Sequence, residues 1–193
     1  MSRSSGHDPY LDSVSGVLKN RFGIGDATTL EATEADLVAA RSRELSLAPL
    51  KGRFDLAHLQ AIHRYLFGDM YDWAGQLRTI DISKGGHLFA HHAHIASAAE
   101  PIFKKLAEEK YLSGLGNGPF SERAAHYLGE LHPFREGNGR TQREFLSHLA
   151  HAAGYYIAWE KVKPREMLDA SIESFQGPTS KLAAIIRENL HDL

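Results

Sequence analysis

At 193 residues, with 42% hydrophobic, 24% charged and 9% aromatic residues, the chain has the make-up of a globular protein of ordinary size, which excludes a disordered or fibrous one. Its 22 Lys plus Arg against 24 Asp plus Glu give a formal net charge of −2, which argues against a surface built throughout for nucleic acid or membrane and leaves room for a local basic pocket. Cysteine is absent, so neither a disulfide framework nor thiolate chemistry is available.

One domain spanning 1–193 is expected. Residues 1–27, rich in Ser, Gly and Asp with anchors such as Tyr10, Leu11 and Val17, read as an amino-terminal arm lying on it. No apolar run approaches the ~18 residues of a membrane span, and the first residues, Met1 to Pro9, lack a signal-peptide apolar core, so a cytoplasmic protein is expected. A first helix is predicted from a Thr28/Glu31 capping box through Leu45. Asp55 caps a second, whose Leu56, Leu59, Ile62, Leu66 and Phe67 share a face and which stops at Gly68. After the aromatic loop Met70 to Gly75, residues 77–90 alternate around Lys84-Gly85-Gly86 and predict a β-hairpin. Two strands alone are marginal, so this hairpin reads either as a flap with an edge for a partner's extended segment or as a cover for the core. His87, His91, His92 and His94 crowd beside it without a standard zinc spacing and read as surface histidines. A third helix follows from about His94 to Lys110. A helix–loop–helix over 121–154, capped by Ser121, comes next, then an apolar connector at 155–159. A helix from Pro164 and a final amphipathic helix through Leu190 close the chain.

The densest chemistry lies at His132-Pro-Phe-Arg-Glu-Gly-Asn-Gly-Arg-Thr-Gln-Arg143, inside the helix–loop–helix. A glycine-bearing loop feeding a helix is an anion site, because the first helical N–H groups have no intrahelical partner and the dipole is positive there. Gly137, Asn138 and Gly139 suit such a nest, and Arg135, Arg140 and Arg143 supply the basic pocket for phosphates. Glu136 offers carboxylate oxygen to Mg2+, and His132 can serve as a base. Phe134 reads as a packing anchor.

The same twelve residues satisfy the signature His-x-Phe-x-(Asp/Glu)-Gly-Asn-Gly-Arg-x-x-Arg, and the chain resembles Fic-domain proteins. Phe54-Asp55-Leu56, Ile62-His63, Leu66-Phe67, Tyr71 to Gly75, and Arg78 with Lys84-Gly85-Gly86 extend the resemblance over roughly 50–190. It implies an all-α Fic fold with a small β-hairpin flap, and transfer of AMP from ATP, with Mg2+, to a hydroxyl side chain of a target protein. By the same resemblance His132 is the base, Glu136 the metal ligand, Gly137 to Gly139 the nest, and Arg140 and Arg143 the phosphate clamps. Ser83, Lys84, Gly85, Gly86 and His87 of the flap would dock the target by strand addition.

The resemblance is greatest to toxins of bacterial toxin–antitoxin modules. It implies a small antitoxin whose Ser/Thr-x-x-x-Glu-Gly/Asn helix sets a glutamate against Arg143, and a topoisomerase target such as a DNA gyrase or topoisomerase IV subunit. An inhibitor within this chain is not expected, since Glu188-Asn189 is preceded four positions earlier by Ala184. Glu130-Leu131-His132 is three residues shorter than the family's Glu-Leu-Asn-x-x-His, a change that would turn a helix by ~60° and shorten it by ~4.5 Å. Phosphate transfer by the same nest, and a weakly catalytic nucleotide- or protein-binding module, are the alternative readings.

Overall fold

The computed structural model describes residues 3–4, 8–84, 87–127, 131–174 and 177–193. Gly85 and Gly86 of the expected turn, and 128–130 of the short approach to His132, lie outside the described residues. The fold is helical and carries the small β-hairpin, as expected, with antiparallel pairing beyond the hairpin that was not. Its helices are α1 (Ala27–Leu47), α2 (Leu56–Phe67), α3 (Ile95–Glu108), α4 (Asn117–Tyr127), α5 (Asn138–Ala152), α6 (Pro164–Ser174) and α7 (Ser180–Asn189).

α2 is the inner helix of the site, and it packs on α1, α3 and α5. It forms where the apolar spacing places it: the Asp55 carboxylate accepts the His58 N–H at 2.9 Å, and Leu59, Ile62, His63, Leu66 and Phe67 are buried along one face. α1 starts at a different cap from the one expected. Asp26, not Thr28, holds its first turn, accepting both the N–H and the hydroxyl of Thr29 at 2.7 and 2.6 Å, because a charged acceptor outcompetes a hydroxyl at the positive end of a helix. α4 begins four residues before Ser121. Pro119 fits its first turn, where the missing N–H has no intrahelical partner anyway, and Ser121 is buried with its hydroxyl bonded back to the Asn117 carbonyl at 2.8 Å.

The hairpin forms from β2 (Ile82–Lys84) and β3 (His87–Leu88), with Ser83 opposite Leu88 and Lys84 opposite His87. The amino-terminal arm adds a third strand, β1 (Arg3–Ser4), on the outer side of β2. The stretch read as a connector is also a strand: β4 (Tyr155–Ile157) pairs with β5 (Leu190–Asp192) at the end of the chain. A contiguous apolar cluster that includes Phe67, Phe120, Phe134, Leu149 and Ile186 lies among the helices. No helix of the described residues is long and apolar enough to cross a membrane.

Candidate active site

The loop from His132 to Gly137 is held from three directions. From within, the Asn138 side chain grips the Phe134 backbone, its Oδ1 accepting the N–H at 2.9 Å and its Nδ2 donating to the carbonyl at 2.8 Å. Asn138 thus shapes the loop. From α5, Gln142 Nε2 donates to the Leu131 carbonyl at 2.6 Å. From α2, the Phe134 ring is fully buried and stacks on His63 with centroids 3.8 Å apart. The Gly75 N–H donates to His63 Nδ1 at 2.8 Å, so the ring proton is on Nε2 and is donated to the Glu136 carbonyl at 3.1 Å. Burial pushes the His63 pKa down to about 3, with the nearby Arg140 charge adding to the effect and the Glu136 carbonyl opposing it. A neutral imidazole therefore ties the aromatic loop at Gly75 to the motif loop.

The two motif glycines answer different demands. Gly137 has φ +78°, and a Cβ there would lie 2.4 Å from Phe67 Cζ, so the fold itself requires glycine. Gly139 is helical and exposed, and a Cβ there would meet only Arg143 Nη1 at 3.7 Å, an ordinary contact. Packing does not require it, and a glycine there leaves the main chain open to close approach. The same distance places the Arg143 guanidinium at the amino end of α5, where Gly137 is the N-cap and no side-chain hydrogen bond caps the helix. Burial, and then repulsion from Arg140, push the Arg143 guanidinium below its ordinary pKa, with Glu144 opposing. Among the described residues no carboxylate lies within ion-pair distance of Arg143.

Glu136 provides the carboxylate. One of its oxygens accepts the Gly137 N–H at 3.1 Å, and the other, Oε2, is buried without a hydrogen-bond partner among the described residues. A buried orphan carboxylate oxygen fits a divalent cation. His132 stands half-buried with its ring at 3.9 Å, edge to face, from Phe89 just past the hairpin. Its backbone is clasped by Arg78, a residue almost wholly buried, whose Nε donates to the His132 carbonyl at 2.9 Å and whose N–H donates to that of Pro133 at 2.8 Å. The other arms of Arg78 reach the carbonyls of Ile80 at 2.6 Å and Ala90 at 2.5 Å, one on each side of the hairpin root.

Two of the arginines hold carboxylates that no sequence spacing linked to them. Arg135 is buried and gives Nε and Nη2 to Asp8, each at 2.8 Å, and so fastens the arm to the loop. Arg140 lies over the Phe67 ring at 4.8 Å and pairs with Glu34 of α1, which also accepts the Tyr71 hydroxyl. Burial, and then the bond to Glu34, push the Tyr71 pKa up. On the flap, β1 pairs along Ile82 and Ser83, so that side of β2 is covered by the arm; Lys84 and His87 are placed as strand residues.

An uncapped helix start, a carboxylate with a spare oxygen and a histidine stand together on one glycine-bearing loop, the groups that phosphate chemistry would need. A model of the Fic/DOC family matches residues 53–150. Protein adenylyltransferase VbhT of Bartonella schoenbuchensis is 49% identical over 187 residues, covering 95% of this chain and 39% of that protein. A probable protein adenylyltransferase Fic of Salmonella typhimurium is 40% identical over 191 residues, 97% of this chain and 94% of the relative. The crystal structure of BepC, a VirB-translocated effector from Bartonella tribocorum with bound AMPPNP, is similar with a TM-score of 0.89 at 29% identity, over 95% of this chain and 97% of that one. The chain belongs to the Fic/DOC family.

Proposed function

We propose that this chain is a protein adenylyltransferase, a nucleotidyltransferase that moves AMP from ATP to a hydroxyl side chain of a target protein. The observation that carries the reading is the uncapped amino end of α5, where Gly139 leaves the main chain open and Arg143 folds back beside it. The adenylyltransferase names of the relatives and the AMPPNP bound to BepC support the same chemistry.

In the reaction the target oxygen bonds to the α-phosphorus of ATP as the bond from that phosphorus to the bridging oxygen breaks, and pyrophosphate leaves. His132 takes the hydroxyl proton on a ring nitrogen, a role that contributes about 10²–10⁴-fold in rate. The N–H groups at the start of α5, with Arg140 and Arg143, bind phosphate oxygens. Glu136, through its spare oxygen, would hold Mg2+, which neutralises phosphate charge when bound. The described edge of β3 is the side of the flap that a target strand would join, since β1 lies along β2.

The finer reading is that of a toxin acting on a type II topoisomerase subunit and restrained by a small antitoxin. Arg143 supports the antitoxin: a half-buried guanidinium with no carboxylate at ion-pair distance among the described residues is what an incoming glutamate would satisfy. ATP labelled at the α or the γ position, with magnesium and a bacterial lysate, tests the chemistry. The α label is expected on a protein band and is expected to vanish in His132→Ala. Label from γ alone means phosphate transfer and none means a binding module, and either overturns the reading. Gyrase is tested by supercoiling after exposure to the active protein, where unchanged activity removes it as the target.

A further inference from the structure

We propose that Asp81, His91 and His92 form a binding site for a zinc-class divalent cation at the root of the hairpin, separate from Glu136. The three residues flank the hairpin, Asp81 just before β2 and the histidines three and four residues after β3. Closing the hairpin brings one ligand atom from each within 4.8 Å of the others. Asp81 Oδ2 lies 3.4 Å from His91 Nε2, and Asp81 Oδ1 lies 3.0 Å from His92 Nδ1. Donors bound tetrahedrally to zinc at about 2.0–2.2 Å stand about 3.3–3.6 Å apart. The Oδ2–Nε2 separation matches this as it stands, and for one carboxylate oxygen to serve with both imidazoles the Asp81 carboxylate has to turn.

The donors also select the ion. Two imidazoles and one carboxylate suit zinc and its late first-row neighbours, while magnesium and calcium prefer oxygen alone. Three protein ligands leave a fourth position for water. Nδ1 of His91 accepts the Ala93 N–H at 3.3 Å, which puts the ring proton on Nε2 facing Asp81; a cation bound at Nε2 takes the place of that proton, the ring proton moves to Nδ1, and the Ala93 bond is given up. Asp81 is fixed by the His92 N–H at 2.8 Å. The His91 and His92 rings lie with centroids 4.3 Å apart, and the His94 ring is 5.7 Å from His91. Side-chain exposures of 26%, 53% and 36% for Asp81, His91 and His92 leave the cluster open to an ion from solvent. One charge opposes: Arg78 Nη1 is 3.7 Å from Asp81 Oδ1, but its donors are engaged by the carbonyls of Ile80, Ala90 and His132. A bound cation would join the two ends of the hairpin at the point where Arg78 joins them to His132.

The sequence alone showed only a run of histidines; the carboxylate that completes the set comes from the other side of the hairpin. Untagged full-length protein dialysed against Zn2+ and analysed for metal tests the site. The expected result is one bound equivalent, retained in Glu136→Gln, weakened at least tenfold in His91→Ala and lost in His91→Ala/His92→Ala. Co2+ in place of Zn2+ should give the intense visible bands of a four- or five-coordinate centre in the same variants that bind zinc. Wild-type protein that takes up no zinc overturns the proposal, as does a double variant that binds it with unchanged stoichiometry and affinity. Because Glu136→Gln and His132→Ala leave this readout intact, failure of the AMP-transfer reading would leave the result distinct.

Discussion

Arg78 carries a prediction that reaches from stability to catalysis. Replacing it with Met keeps the apolar stem and removes three charge-assisted hydrogen bonds, to the carbonyls of His132, Ile80 and Ala90 at 2.9, 2.6 and 2.5 Å. Bonds to a charged donor contribute about 1.5–3 kcal/mol each, but the three are not additive. Ala90 is exposed and Ile80 and His132 are half-buried, so their carbonyls regain water in part. The desolvation that pulls the Arg78 pKa down, against the pull of Asp81, is also relieved. The net expectation is a loss of about 3–4 kcal/mol in Arg78→Met and about half that in Arg78→Lys, which reaches fewer acceptors and lacks the planar fork. Urea denaturation at constant m-value measures the loss. AMP transfer, assayed where both variants are folded, should fall further than ATP affinity does, because the clasp sets the His132 backbone and the hairpin root, not the α5 nest. A folded Arg78→Met with wild-type stability and turnover would refute the reasoning.

The motif glycines should separate cleanly. Gly137→Ala meets Phe67 at 2.4 Å in a left-handed backbone and should cost about 2–4 kcal/mol in urea melts. Gly139→Ala, helical and uncrowded, should fold with stability unchanged or higher by up to about 1 kcal/mol yet fail to show the thermal shift that AMPPNP is expected to give the wild type. For His63, the folded pKa of about 3 lies below the unfolded value near ~6.5, so the unfolded chain binds more protons between them. Its contribution is complete above about pH 6.5 and falls as pH drops toward 3, at a slope approaching ~1.4 kcal/mol per pH unit. His63→Phe removes the titrating group, so the stability gap between wild type and variant should narrow from about pH 7 to pH 5 in denaturant titrations. A gap constant with pH would contradict the neutral bridge.

Local chemistry was legible in the sequence and distant pairing was not. Asp55 and the apolar face of α2, the stop at Gly68, and the glycine-to-helix junction at Gly137 all depend on residues a few positions apart, and the structure has them where the spacing puts them. Ion pairs across the fold leave no such trace: Arg140 meets Glu34 from 106 positions away, and Arg135 meets Asp8 from 127. β4 read as a connector because its partner is the last strand of the chain, and short strands gain their pairing from tertiary context. At α1 a charged cap two residues earlier, Asp26, displaced Thr28, and at α4 the start lies at Asn117 with Pro119 in the first turn, away from Ser121. Asp81 gave no signal beside the histidine run, since only the closed hairpin brings it there.

His132 and the α5 nest are proposed to move AMP, not phosphate, onto protein. Parallel reactions with α- and γ-labelled ATP, wild type against His132→Ala, measure it most directly. The expected result is α label on protein, no γ label, and a loss of about 10²-fold or more in the variant. Label retained by His132→Ala, or carried from the γ position alone, would contradict it.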